Sequence, residues 1–91
     1  MVLILSLASI SAMKLSDLPR YASGTVSAVE AISVGDPIAR RLAELGFVPG
    51  ETVRLVALGP MGGDPILVQV GFTRFALRRS EADRVKLEVE G

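Results

Sequence analysis

Cysteine, histidine and tryptophan are all missing from the 91 residues, and only four aromatic side chains are present, three Phe and one Tyr. Without cysteine no disulfide can form, and the redox compartment leaves no mark on the chain. Without cysteine and histidine together, the commonest nucleophiles, proton shuttles and soft metal ligands are gone. Their absence argues against a zinc site and against Cys–His or Ser–His–Asp catalysis. An excess of charge is also missing, because ten Lys and Arg balance ten Asp and Glu. Phosphate neutralisation dominates nucleic-acid affinity, so a neutral chain argues against DNA or RNA as partner. Long apolar runs are missing too. Residues 1–12 carry no charge, yet the apolar run Val2–Leu5 is short and no Lys or Arg precedes Lys14. A signal peptide needs a positive start, and a membrane span needs about 20 apolar residues. Residues 1–12 are read as an apolar extension before a domain of residues 13–91. The extension is expected to pack on a neighbouring chain, as in a homo-oligomer, or to add a strand to a sheet edge.

What is present fits one small domain. The chain is 49% hydrophobic, with nine glycines and five prolines marking turns. Leu15-Ser16-Asp17-Leu18-Pro19 reads as a short helical turn capped by Ser16 or Asp17. Strand one is expected from Gly24 to about Ala31, with a bulge where the alternation breaks at Ala28-Val29. The clearest helix follows. Asp36 caps it and Pro37 opens it, while Ile38, Leu42 and Leu45 share one apolar face. Gly46 is placed for a left-handed stop, with Phe47 folding back on Leu42. Val48-Pro49-Gly50-Glu51 has the residues of a type II turn. Strand two is Thr52–Ala57, and Gly59–Pro65 is a flexible loop. Strand three is Ile66–Val70, strand four Phe72–Leu77 and strand five Val85–Val89. Between the last two, Ser80 and Asp83 have capping-box spacing for one helical turn. Five short strands and one real helix predict an all-β fold, a small five-stranded barrel closed on itself.

The run Arg40-Arg41-Leu42-Ala43-Glu44-Leu45-Gly46-Phe47-Val48-Pro49-Gly50 closely resembles the hallmark of the ferrous iron transport protein A (FeoA) family, a helix ending in RL-x-ELGF-x-PG. Met13-Lys14-Leu15-Ser16-Asp17-Leu18 is similar to that family's opening, and Gly24-Thr25-Val26 to its first strand. Asp64-Pro65-Ile66 and Ala76-Leu77-Arg78-Arg79-Ser80-Glu81-Ala82 resemble its later segments, in the right order. The resemblance spans Met13 to Val89 and leaves residues 1–12 outside. It implies an SH3-like barrel in the bacterial cytosol, serving ferrous iron uptake beside the G-protein-linked permease, ferrous iron transport protein B. Cytosolic placement, peripheral at the inner membrane through that partner, follows from the same resemblance. The same barrel occurs at the end of metal-dependent repressors of the diphtheria-toxin-repressor type, after a helix-turn-helix for which these residues have no room.

No nucleophile–base constellation appears, so no enzyme activity is expected. The Gly59–Pro65 loop lacks the Lys and following helix of a phosphate-binding loop. Carboxylates are scattered at Glu30, Asp36, Glu44, Glu51 and Asp64, with no ligand spacing. No cofactor and no tight iron site are expected. Partner-binding candidates are Arg40, Arg41, Glu44 and Phe47 around the helix end, Met61 in the loop, and Arg78 and Arg79 in a basic run with Arg74, Arg84 and Lys86. Each has a plainer alternative. Phe47 can be core, the arginines can be a solvated face, and Met61 can be a stray loop residue. Arginine and methionine are nonetheless favoured at adaptable interfaces. The leading expectation is a non-enzymatic adaptor or regulator of the ferrous permease. The alternative is a metal-responsive regulatory domain acting with a transcriptional repressor.

Overall fold

The computed structural model describes residues 10–90. Six antiparallel strands form one sheet in the order β1-β6-β2-β3-β4-β5. They are β1 (Ile10–Lys14), β2 (Ser23–Val29), β3 (Thr52–Leu58), β4 (Ile66–Val70), β5 (Thr73–Leu77) and β6 (Val85–Glu90). A 3₁₀ turn (Leu15–Asp17) follows β1. Helix α1 (Pro37–Leu45) separates β2 from β3, and helix α2 (Arg79–Ala82) separates β5 from β6.

The strands obey the alternation of their residues. In β4, Ile66, Val68 and Val70 are buried while Leu67 and Gln69 are half-buried; in β3, Val53 and Leu55 point in and Arg54 points out. Two irregularities bend the sheet. The β2–β6 register slips between Val26 and Ala28, and the β3–β4 register slips between Leu55 and Ala57. The first lies near the expected bulge, one to two residues earlier. Ser27 sits at the slip, and its hydroxyl donates to the Lys86 carbonyl at 3.1 Å.

Helix α1 forms as its residues dictate. The Asp36 carboxylate accepts from the N–H groups of Ile38 at 3.0 Å and Ala39 at 3.4 Å, and Pro37 occupies the first turn. Gly46 ends the helix in the left-handed region at φ 116°. Its N–H donates to the Ala43 carbonyl and the Phe47 N–H to the Leu42 carbonyl, both at 3.1 Å, the paired bonds of a Schellman stop. Gly46 also sits where a Cβ would lie 3.3 Å from a Val70 methyl, so both backbone angle and close approach favour glycine there. Phe47 turns inward beside Leu42, both essentially fully buried, and its ring meets Phe75 at 6.1 Å between centroids. The Val48–Glu51 turn closes with the Glu51 N–H on the Val48 carbonyl at 3.1 Å, with Gly50 at φ 94°, as a type II turn requires.

Several expectations need correction. Among the described residues there are six strands rather than five, and the sheet is not closed into a barrel. The sixth strand is β1, which pairs with β6 from Ile10↔Glu90 to Lys14↔Lys86. The boundary drawn at residue 12 thus falls inside a strand, one that its Ser and Ala content hides and that the free edge of β6 templates. The expected contact between copies through the extension rests largely on residues 1–9, outside the described residues. The sheet's two edge strands are β1 and β5. Side chains bridge the open side: Arg79, just after β5, reaches the Ser16 carbonyl at 2.9 Å, just after β1. Strand β2 runs Ser23–Val29, and β5 starts at Thr73. Phe72 belongs to a two-residue turn with Gly71 at φ 59° and is fully exposed. Helix α2 is capped two residues earlier than expected, at Arg78, with the Glu81 carboxylate accepting from the Arg78 N–H at 3.0 Å. Asp83 instead accepts from the Ser16 hydroxyl.

Core placement of Phe47 gives a direct expectation. Phe47→Ala should lower the unfolding free energy by about 3–5 kcal/mol, read as a drop in the urea midpoint. A loss below about 1 kcal/mol would mean that Phe47 is not the packed side chain described.

Candidate functional site

The surface around α1 and α2 holds most of the residues expected to meet a partner. Glu81 organises it with both oxygens: Oε2 pairs with Arg41 Nη2 at 3.1 Å, and Oε1 accepts the Arg78 N–H. Arg41 on α1 and Arg78 at the start of α2 are thereby drawn to one carboxylate. Arg79 does the corresponding work for the loop before β4. Its N–H donates to Asp64 Oδ1 at 3.0 Å, its Nη1 to the Gly63 carbonyl at 3.2 Å and its Nη2 to the Ser16 carbonyl. The Gly59–Pro65 loop is therefore tied to α2, with Met61 largely exposed on it.

Of the seven residues singled out from sequence, Arg40, Arg41, Glu44, Met61 and Arg78 are exposed. Phe47 is core, and the half-buried Arg79 is a clamp between loop and 3₁₀ turn. The run Arg74, Arg78, Arg79, Arg84 and Lys86 does not make one basic face. Arg74 donates to Gln69, Arg84 pairs with Asp36, and Lys86 pairs with Glu30 at 3.8 Å.

Asp36 holds this surface in place. Besides capping α1, its Oδ2 accepts from the Ile32 N–H at 3.1 Å and pairs with Arg84 Nη1 at 2.7 Å. The side chains are 4% and 15% exposed, so the pair is effectively buried. The Ile32 N–H, foremost, holds the Asp36 carboxyl below its ordinary value. Burial pulls the other way, and the N–H groups of Ile38 and Ala39 and the Arg84 guanidinium add to the lowering. Asp83 is lowered as well, by the Ser16 hydroxyl first, against burial, and then by the charge of Lys14 3.7 Å away.

Among the described residues, no group of three or more Asp or Glu side chains comes together. Glu30 is paired with Lys86, Asp36 is saturated by four donors, and Asp64 accepts from Arg79. No helix among the described residues is long and apolar enough to cross a membrane.

One arrangement escaped the sequence reading. Tyr21 has a left-handed φ of 71°, and its half-exposed ring lies 4.8 Å from the Arg20 guanidinium and 5.8 Å from that of Arg54. Arg54 lines an open hollow of about 340 Å³ with Ser23, Glu51, Thr52, Gln69 and Gly71. Outward alternation in β3 was the available signal for Arg54; nothing local marks Tyr21.

A mostly β chain with one curled antiparallel sheet, a helix set between strands and an open side bridged by side chains has the SH3-like fold, as its solved relatives do. Within that class the chain belongs to the FeoA family, whose domain model matches residues 13–89. FeoA from Stenotrophomonas maltophilia, solved with zinc and described as a prokaryotic SH3 domain protein, is 63% identical. The match covers 82% of this chain and 88% of that one, with a TM-score of 0.77. Iron(II) transport protein A from Clostridium thermocellum is 35% identical over 85% of this chain and 45% of that one, with a TM-score of 0.74. A manganese-dependent transcriptional repressor is 23% identical over 88% of this chain and 42% of that one, with a TM-score of 0.70, a likeness of fold alone. Among curated proteins there is no match. The family is associated with ferrous iron transport and is not a known enzyme family.

The lowered carboxyls make stability acid-sensitive. A folded-state value below the unfolded 3.8 contributes stability that is complete above the unfolded value and is lost as pH falls through the folded one. Unfolding midpoints should be flat above about pH 5 and fall below about pH 4. Asp36→Asn keeps a cap acceptor but leaves Arg84 buried without its counter-charge. Its melting temperature should be lower by several degrees at neutral pH and less pH-dependent in acid, as followed by circular dichroism.

Proposed function

We propose that this protein is a non-catalytic cytosolic adaptor that docks on the cytosolic portion of the ferrous iron permease, ferrous iron transport protein B, and regulates it. The observation that carries this reading is the α1–α2 surface, where Arg40, Arg41, Glu44, Arg78 and Met61 are exposed while Glu81 binds the Arg41 side chain and the Arg78 N–H, and Arg79 ties down the loop that carries Met61. Planar arginine forks and a flexible methionine suit a protein interface, and a surface ordered in advance loses less entropy on docking. Family membership supplies the process, ferrous iron transport. The scattered carboxylates favour action on a transporter over carriage of the ion. The competing reading, a regulatory domain working with a repressor, draws on the fold likeness to the manganese-dependent repressor. It requires association that depends on metal.

The test is capture of the permease's cytosolic G domain, with and without guanine nucleotide. Arg40→Glu/Arg41→Glu and Met61→Asp should each weaken capture by about tenfold or more while the circular dichroism spectrum stays native. Capture unchanged in both variants would remove the α1–α2 surface as the docking face. Absence of capture in every nucleotide state would remove the adaptor reading for that domain.

A further inference from the structure

A row of polar side chains crosses the outer face of four strands. The pairings Ser23↔Arg54, Arg54↔Gln69 and Gln69↔Arg74 set these residues side by side from β2 through β3 and β4 to β5. Arg54 and Gln69 each lie between inward-facing neighbours, Ser23 opens β2 and Arg74 is the second residue of β5; Ser23, Arg54 and Arg74 are exposed. Neither arginine has an ion-pair partner among the described residues. Both are nevertheless held. Arg54 Nε donates to the Tyr21 carbonyl at 3.3 Å, and Arg74 Nε donates to Gln69 Oε1 at 3.2 Å. Gln69 is fixed in turn by its Nε2 on the Gly71 carbonyl at 3.2 Å. Each guanidinium is thus tethered through Nε while its two terminal amino groups stay uncommitted. That leaves two forks aimed by the fold, each able to grip a carboxylate through paired N–H bonds. Arg20 adds a third cation against the Tyr21 ring, and the left-handed Tyr21 backbone is pinned by its N–H on the Leu55 carbonyl at 2.7 Å.

We propose that this row is a receptor for an extended acidic peptide segment of a protein partner, with Arg54 and Arg74 each holding one carboxylate. Two strand spacings separate the forks by about 10 Å, close to the rise of three residues in an extended polyproline II chain, whose three-residue turn returns side chains three apart to the same face. A segment with acidic residues three apart therefore matches both forks. The occupant is a protein rather than a nucleic acid because Glu51 lines the hollow beside Arg54 and the chain has no net positive charge to attract a polyanion. Residues 1–9 of this chain carry no carboxylate side chain and cannot supply the ligand themselves. The inference is independent of the α1–α2 docking surface, since it uses none of that surface's residues.

The test uses the full chain and a fluorescently labelled peptide with two glutamates three residues apart, alongside its glutamine counterpart. Anisotropy should show binding of the glutamate peptide that weakens as salt rises, with the glutamine peptide bound at least about tenfold more weakly. Arg54→Ala and Arg74→Ala should each cost about tenfold, whereas Lys86→Ala, which removes one positive charge elsewhere, should leave binding unchanged. Arg54→Lys, which keeps charge but loses the fork, should behave like Arg54→Ala. Amide shifts on titration should centre on Ser23, Arg54, Gln69 and Arg74. No binding at millimolar peptide, equal loss in Lys86→Ala, or tighter binding of a single-stranded oligonucleotide than of the peptide would each overturn the proposal.

Discussion

One carboxylate, that of Asp36, sets the relation between the helix and the sheet. It caps α1 through the Ile38 and Ala39 N–H groups, gathers the preceding loop through the Ile32 N–H, and neutralises Arg84 just before β6. Two orphan donors of a helix end and one buried guanidinium are satisfied by the same two oxygens. The arrangement has a thermodynamic character of its own. A buried pair is costly to desolvate and adds little when compared with apolar packing, but removal of one partner strands the other charge. Its value here is positional. It sets the start of α1 against the segment between α2 and β6, so that Arg41 can reach Glu81.

From that anchor the functional surface follows in steps. The Schellman stop at Gly46 turns Phe47 into the core and fixes the far end of α1 against β4 and β5. Glu81 joins α1 to α2, and Arg79 joins α2 both to the Gly59–Pro65 loop and to the 3₁₀ turn after β1. This bridging stands where a closed barrel would have a strand ladder. Side-chain bonds across the open side leave β1 and β5 as edges, while the small helices between them are held by charge-assisted bonds. The exposed arginines and Met61 are therefore carried on a frame that is rigid at its base.

Much of this frame is legible in the residues. Asp36-Pro37 at one end of α1 and Gly46-Phe47 at the other specify the helix by local chemistry, and the structure places both as read. The alternation of β3 and β4 likewise assigns Val53, Leu55, Ile66 and Val68 to the core. What stayed hidden depends on distant partners. β1 has no strong strand pattern and exists through β6, more than seventy residues along the chain. The capping of α2 by Glu81 rather than by Ser80 and Asp83 reflects competition. Ser16, far away in sequence, holds Asp83, and Glu81 is free to reach back to Arg78. For the same reason, the basic run from Arg74 to Lys86 looks continuous in sequence but is dispersed in space among Gln69, Asp36 and Glu30. Arg54, Gln69 and Arg74 are separate letters on three strands and become neighbours only through register.

The docking proposed for this FeoA-family protein uses the α1–α2 surface and the tethered loop. Hydrogen–deuterium exchange of the protein alone and with the permease's cytosolic portion tests it most directly. The account predicts slowed exchange in α1, α2 and residues 59–65 on complex formation, with the buried strands β3 and β4 unchanged. Complex formation that leaves α1, α2 and the loop exchanging at their free rates would contradict it.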